Sequence, residues 1–280
     1  MTEELLRPAW SEQFSAEAIQ QLAASGPIAD LTPEWAYGGS TGLGVRVAVV
    51  DSGVEHDHPA LGSSVRGGIN VEYDADAENY VRYEADDPPN DLSGHGTACA
   101  GIIHSLAPEA EIYSVRVLGS DMHGRAIQFA AGLDWAIENG MQVVNLSLST
   151  AKEEYFGLFH DLADQAYFKN VNVVSAVNNV PSPSYPSQYS SVISVAAHEG
   201  HDPFIFYYNP FPPVEFGAPG IDIDVAWNNK QYLTCTGNSF AAPHITGIVA
   251  LIRAKHPELT AFQIKTVLMA CSANMNQANR

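Results

Sequence analysis

Five apolar, strand-like runs punctuate this chain, at residues 45–50, 111–118, 142–148, 171–176 and 192–197, and segments with helical spacing lie between them at residues 95–103, 127–139 and 156–169. Strands that alternate with helices predict a parallel sheet covered on both faces, that is, a three-layer, mostly parallel α/β fold. In open sheets of this kind reactive side chains gather at the carboxyl ends of strands. Asp51 stands directly at the end of the first run.

Size and charge narrow the reading further. The 280 residues are 46% hydrophobic, enough for the core of one large domain. Thirty-two acidic against 13 basic side chains give a formal charge of −19, which disfavours nucleic acid and anionic membrane as partners. No run approaches the roughly 20 apolar residues of a membrane span. The start, Met1-Thr2-Glu3-Glu4-Leu5-Leu6-Arg7-Pro8, lacks the basic and apolar regions of a signal peptide, so the expected location is cytoplasmic. Cys99, Cys235 and Cys271 form neither a zinc pattern nor a disulfide framework and read as buried thiols. Residues 14–24 have helical spacing, ended by Ser25-Gly26-Pro27.

Three short motifs carry chemistry. Thr236-Gly237-Asn238-Ser239-Phe240-Ala241-Ala242-Pro243-His244 runs into an apolar helical segment at residues 245–255. It places Ser239 on a turn at a helix N-terminus, where free N–H groups gather. By itself it is equally a helix N-cap. Ser93-Gly94-His95-Gly96-Thr97 sets an imidazole between glycines ahead of another helix, and the first strand ends in Asp51-Ser52-Gly53. The order acid, base, nucleophile is that of subtilisin, and over residues 33–275 the chain resembles the subtilisin-like serine proteases.

That resemblance implies a serine endopeptidase with a catalytic domain at residues 33–280 behind an extension at residues 1–32. Ser239 would attack the peptide carbonyl, His95 would act as general base and Asp51 would orient it. The oxyanion donors would be the backbone N–H of Ser239 and the side chain of Asn178, with neighbouring Asn179 leaving the register open. Ser147, Leu148 and Ser149 would form one wall of the primary specificity pocket, and Ser175, Ala176 and Val177 the other. Met122 and Gly124 would lie on an edge strand that pairs with extended substrate. Relatives carry glycine at the positions of Val177 and Ser149 and threonine at that of Asn238. The two added side chains predict a narrow pocket and a preference for small residues immediately before the cut. Alternatively Val177 and Asn238 weaken catalysis, leaving a binding protein, and a peptide transpeptidase or macrocyclase would use the same triad.

Further expectations concern regulation and the surroundings of the site. Residues 5–10 resemble a short self-inhibitory segment, against the plainer reading of a surface segment docked through Leu6 and Trp10. Cys99 and Cys235 fall four residues from His95 and Ser239 respectively, and the resemblance implies sensitivity to mercurials. No cofactor or metal is expected. The helix after His95 runs on without the calcium-binding insertion of many relatives, although acidic loops could bind calcium weakly, and His56-Asp57-His58-Pro59 reads as a turn. Residues 72–91 are acid-rich. They read as a solvated loop or, through Asp86, Asp87 and Asp91, as a rim favouring basic substrate residues next to the one before the cut. The aromatic residues between 203 and 213 read as core packing or a partner surface.

Overall fold

The structure, a computed structural model, describes residues 31–277. The sheet and its helices belong to one compact unit, residues 32–280. The segment at residues 5–10 that resembles a self-inhibitory one, and the helical spacing at residues 14–24, lie outside the described residues.

In chain order the main strands are β1 (Arg46–Asp51), β2 (Val65–Tyr73), β3 (Val81–Ala85), β4 (Glu111–Arg116), β5 (Val143–Leu146), β6 (Asn172–Ala176), β7 (Ile193–His198), β8 (Tyr207–Tyr208) and β9 (Phe216–Pro219). Helices α1 (Pro33–Tyr37), α2 (His95–Leu106), α3 (Ala126–Glu138), α4 (Phe156–Phe168), α5 (Asn238–Lys255), α6 (Ala261–Cys271) and α7 (Ala273–Gln277) surround them. The sheet has nine strands in the order β3-β2-β4-β1-β5-β6-β7-β9-β8. Its six inner pairings are parallel, and only the edge pairs β2–β3 and β8–β9 are antiparallel. The expected three-layer architecture is therefore present. A separate antiparallel hairpin joins β10 (Ile223–Trp227) to β11 (Gln231–Cys235).

Successive residues of a strand point to opposite faces, and the two faces here meet different helices. Ala48 and Val50 of β1 pack in one core with Phe129 and Leu133 of α3 and Phe159 of α4. On the other side Thr246 of α5 donates to Asn145 of β5 at 2.9 Å. Every residue of α5 from Phe240 to Arg253 is buried, as expected of a helix apolar on nearly all sides. This central helix fixes the height of Ser239 at its first turn.

Two sequence expectations require correction. Residues 72–91 are not simply a loop, since their first part closes the β2–β3 hairpin, with Asn70 paired opposite Glu84. Of the aromatic residues between 203 and 213, only Phe206 is core, packed against Phe216, while Phe204, Tyr207 and Phe211 are exposed. The helix after His95 is continuous to Leu106.

Candidate active site

Asp51, His95, Ser147, Asn178 and Ser239 all sit at or just beyond the carboxyl ends of β1, β5 and β6 or at the N-termini of α2 and α5. The parallel sheet thus brings residues from distant parts of the sequence to one edge.

Asp51 is wholly buried, and His95 is 9% exposed. The His95 Nδ1–H donates to the Asp51 carboxylate, 2.8 Å from Oδ1 and 3.0 Å from Oδ2. The backbone N–H of Ser52 donates to the same Oδ1 at 2.7 Å. This leaves His95 Nε2 as the nitrogen able to accept a proton. The ring packs against Phe240, with centroids 5.3 Å apart. Burial works to lower the His95 pKa, but the charge and hydrogen bond of Asp51, aided by Asp91, outweigh it and hold the imidazole above its ordinary value.

The glycines flanking His95 have separate reasons. Gly94 has φ 107°, a conformation side chains rarely adopt, and a Cβ there would collide with the Trp227 indole. At Gly96 a Cβ would strike the Gly53 carbonyl oxygen and press on Asp51 Cβ. Only glycine lets the start of α2 approach the end of β1 this closely.

Asp91 is a second buried carboxylate that organises the site. Its Oδ1 accepts from Ser52 Oγ at 2.8 Å, Ser93 N at 2.9 Å and Gly94 N at 2.8 Å. Its Oδ2 accepts from Thr97 N at 2.8 Å and Thr97 Oγ1 at 2.7 Å. One side chain thereby ties the residue after Asp51 to the first turn of the helix that carries His95, and its negative charge suits that helix N-terminus. The acidic-rim expectation fails here. Asp86 and Asp91 are both buried, and neither they nor exposed Asp87 line the cleft.

Ser239 occupies the first turn of α5. Pro243, four residues later, has no N–H to give the Ser239 carbonyl. That oxygen instead accepts from Ser147 Oγ at 2.7 Å, with Cys99 Sγ at 3.6 Å. Asn145 Nδ2 in turn donates to Ser147 Oγ at 3.0 Å. The Ser239 backbone is thus held by the residue that follows β5 rather than by its own helix. Among the described residues no hydrogen bond yet joins Ser239 Oγ to His95. Such contacts commonly close only when substrate is bound.

Asn178 also lines the cleft, and its Nδ2 donates to Ser182 Oγ at 2.9 Å. An amide carries two N–H donors, so one stays available to a ligand. The turn is fixed from below by Asn238, whose Nδ2 donates to the carbonyls of Val177 at 3.2 Å and Asn178 at 3.1 Å. Its Oδ1 accepts from Ala197 N at 2.9 Å, and its own N–H donates to Asn179 Oδ1 at 2.9 Å. The register left open in the sequence divides the two asparagines: the Asn179 side chain holds the α5 turn, and that of Asn178 is held by Ser182.

These groups border a cleft of about 850 Å3, lined also by Met122, Gly124, Ser147, Leu148, Ser149, Ala176 and Val177. Ser175 is the exception among the expected pocket residues. It is wholly buried in β6, does not line the cleft, and turns its hydroxyl to the Ala176 carbonyl. Tyr73, Tyr80, Arg125, Lys152 and Tyr155, which no motif signals, complete the wall.

The neighbouring thiols and imidazoles separate clearly. Cys99 Sγ lies 3.9 Å from Asp51 Oδ2, and burial together with that charge raises its pKa well above normal, so the thiol stays protonated. Cys99, His95 and Asp51 also offer three metal-ligating atoms within 4.8 Å of one another. Cys235 ends β11 and does not line the cleft. His56 Nδ1 meets the Pro89 carbonyl at 3.0 Å and His58 Nε2 that of Gln231 at 3.1 Å, which fits the turn reading. No helix among the described residues is long and apolar enough to cross a membrane.

Comparison with known proteins places this geometry. Residues 42–280 match the model of the subtilase family. The chain is 32% identical to subtilisin BL of Lederbergia lenta over 86% of this chain and 88% of that protein. It is 32% identical to the minor extracellular protease Epr of Bacillus subtilis (strain 168) over 96% of this chain, but spans only 39% of Epr. The crystal structure of a cold-adapted subtilisin-like serine proteinase superposes with a TM-score of 0.68 at 26% identity, covering 85% of this chain and 87% of that one. The chain belongs to the subtilase family, the subtilisin-like serine endopeptidases.

Proposed function

We propose that this chain cleaves peptide bonds through an acyl-enzyme on Ser239. His95 Nε2 takes the Ser239 proton as Oγ attacks the carbonyl carbon, and returns it to the departing amine. Asp51 holds the imidazole in the Nδ1–H tautomer and stabilises the cation that forms. The oxyanion is met by the Ser239 backbone N–H and by the Asn178 Nδ2 donor not used by Ser182. A water, activated by His95 in the same way, then releases the acid. The observation that carries this reading is the 2.8 Å contact from His95 Nδ1 to buried Asp51, in a cleft that Ser239 also lines.

Cleavage should favour a small residue immediately before the scissile bond, because Val177 and Ser149 add side chains to opposing walls of the cleft. That Cys99, Cys235 and Cys271 form no disulfide among the described residues supports a reducing, cytoplasmic setting. The test is digestion of a mixed peptide library, with Ser239→Ala as control, followed by mass analysis. Hydrolysed products absent from the control support the proposal, with Ala favoured over Phe before the cut. Undiminished cleavage by Ser239→Ala would remove it.

A further inference from the structure

The charge of the cleft wall runs opposite to that of the chain. The sequence holds 32 acidic against 13 basic side chains, yet among the described residues no carboxylate lines the cleft, whereas Arg125 and Lys152 both do. His123, also on the wall, is matched by the Asp121 carboxylate at 3.6 Å. Surface cations elsewhere are mostly spoken for: Arg66, Arg82, Lys169, Lys230 and Lys265 each have an acidic partner. Arg125 and Lys152 have no ion-pair partner among the described residues. Glu153 and Glu154 follow Lys152 directly but do not line the cleft.

Each of these cations rests instead on an aromatic ring of the same wall. Arg125 Cζ lies 4.0 Å from the Tyr73 ring centroid, and Lys152 Nζ lies 6.0 Å from that of Tyr155. A ring face directs a cationic head without neutralising it, leaving its N–H donors for another group. Arg125 adjoins Gly124, and Lys152 follows Ser149 by three residues. Both neighbours belong to the walls expected to hold substrate on the N-terminal side of the cut.

We infer that the cleft selects peptides carrying Asp or Glu shortly before the scissile bond, recognised by Arg125 and Lys152; this rests on the reading of Ser239 as nucleophile. The acid-rich residues 72–91 predict basic substrate residues, and the cleft wall reverses that sign. The overall −19 charge repels an acidic peptide at long range but is screened beyond about 8–10 Å, so short-range contacts decide.

Two measurements test the inference separately from the catalytic reading. Peptides identical except for Glu, Gln or Lys at positions two to four before the cut are titrated into Ser239→Ala protein, where binding is read without turnover. Glu peptides should bind about fivefold tighter than Gln peptides, the upper end for exposed ion pairs. The double variant Arg125→Glu, Lys152→Glu should reverse the order in favour of Lys. Equal binding of Glu and Gln peptides, or a Glu preference unchanged in the double variant, would overturn it. Hydrolysis of the Gln peptide by the unaltered enzyme reports on the nucleophile alone, so failure of one reading is distinguishable from failure of the other.

Discussion

At the catalytic centre Asp51 and His95 are buried, joined to each other and, through Ser52, to a second buried carboxylate. On the outer wall of the same cleft Arg125, Lys152 and Tyr80 are exposed side chains carried by loops and by the turn that closes the β2–β3 hairpin. The centre is determined by backbone approach and a saturated hydrogen-bond network, and a single substitution there should disturb chemistry or folding. The wall is a set of individual side chains, so substitutions there should alter selectivity and little else.

The sharpest contrast comes from Asp51→Asn. It keeps the shape of the centre but removes the charge and favours the wrong imidazole tautomer, and kcat should fall about 10^4-fold, as in the equivalent change in chymotrypsin-like enzymes. Asn178→Ala should cost about 2.7 to 4 kcal/mol of transition-state stabilisation, the magnitude known for the side-chain donor of subtilisin. The loss should fall in kcat with KM little changed, measured on one peptide under saturating conditions.

Asp91→Ala tests whether the second carboxylate belongs to the centre or the wall. Five donors lose their acceptor, which should destabilise the fold by about 3 kcal/mol. For a domain of this size that lowers Tm by roughly 6 to 12 °C, read by calorimetry. A variant as stable as the parent would return Asp91 to the rim. Asn238→Asp keeps the acceptor for Ala197 N but loses both donations to the Val177 and Asn178 carbonyls. A drop in kcat of about tenfold is expected, with partial recovery in Asn238→Thr, whose hydroxyl restores one donor.

The smallest effect concerns pH. The base must be neutral, and its pKa is raised, so kcat/KM should rise with pH through a midpoint above the ordinary 6.5 of histidine. The stability carried by the same pair has the opposite sign: it is full below about 6.5 and lost as pH rises through the raised folded value. Activity and this increment of stability should therefore cross over one pH window, seen by pairing a pH–rate profile with Tm measurements.

The centre is legible in the sequence because its constraints are local. Glycines flank His95 since neighbouring backbone leaves no room for a Cβ, and Ser239 precedes an apolar helix that only a central buried position explains. Ser175 departs from its expected place because successive strand residues face opposite sides: the pleat turns Ala176, the last residue of β6, to the cleft and Ser175 inward, while Val177 follows the strand. Asp91 departs from the rim because five donors converge on it from residues 52, 93, 94 and 97, an arrangement that acid-rich composition conceals. Tyr73, Arg125 and Lys152 leave no trace in any motif. They meet only when the β2–β3 hairpin and the loops before α3 and α4 fold over the same edge.

Which oxygen is reactive can be read directly. Labelling with a fluorophosphonate at a pH above the His95 midpoint, followed by peptide mapping, should place one adduct on Ser239, with the rate of labelling falling sharply in Asp51→Asn. An adduct elsewhere, or labelling of Ser239 that is indifferent to the loss of Asp51, would contradict the triad.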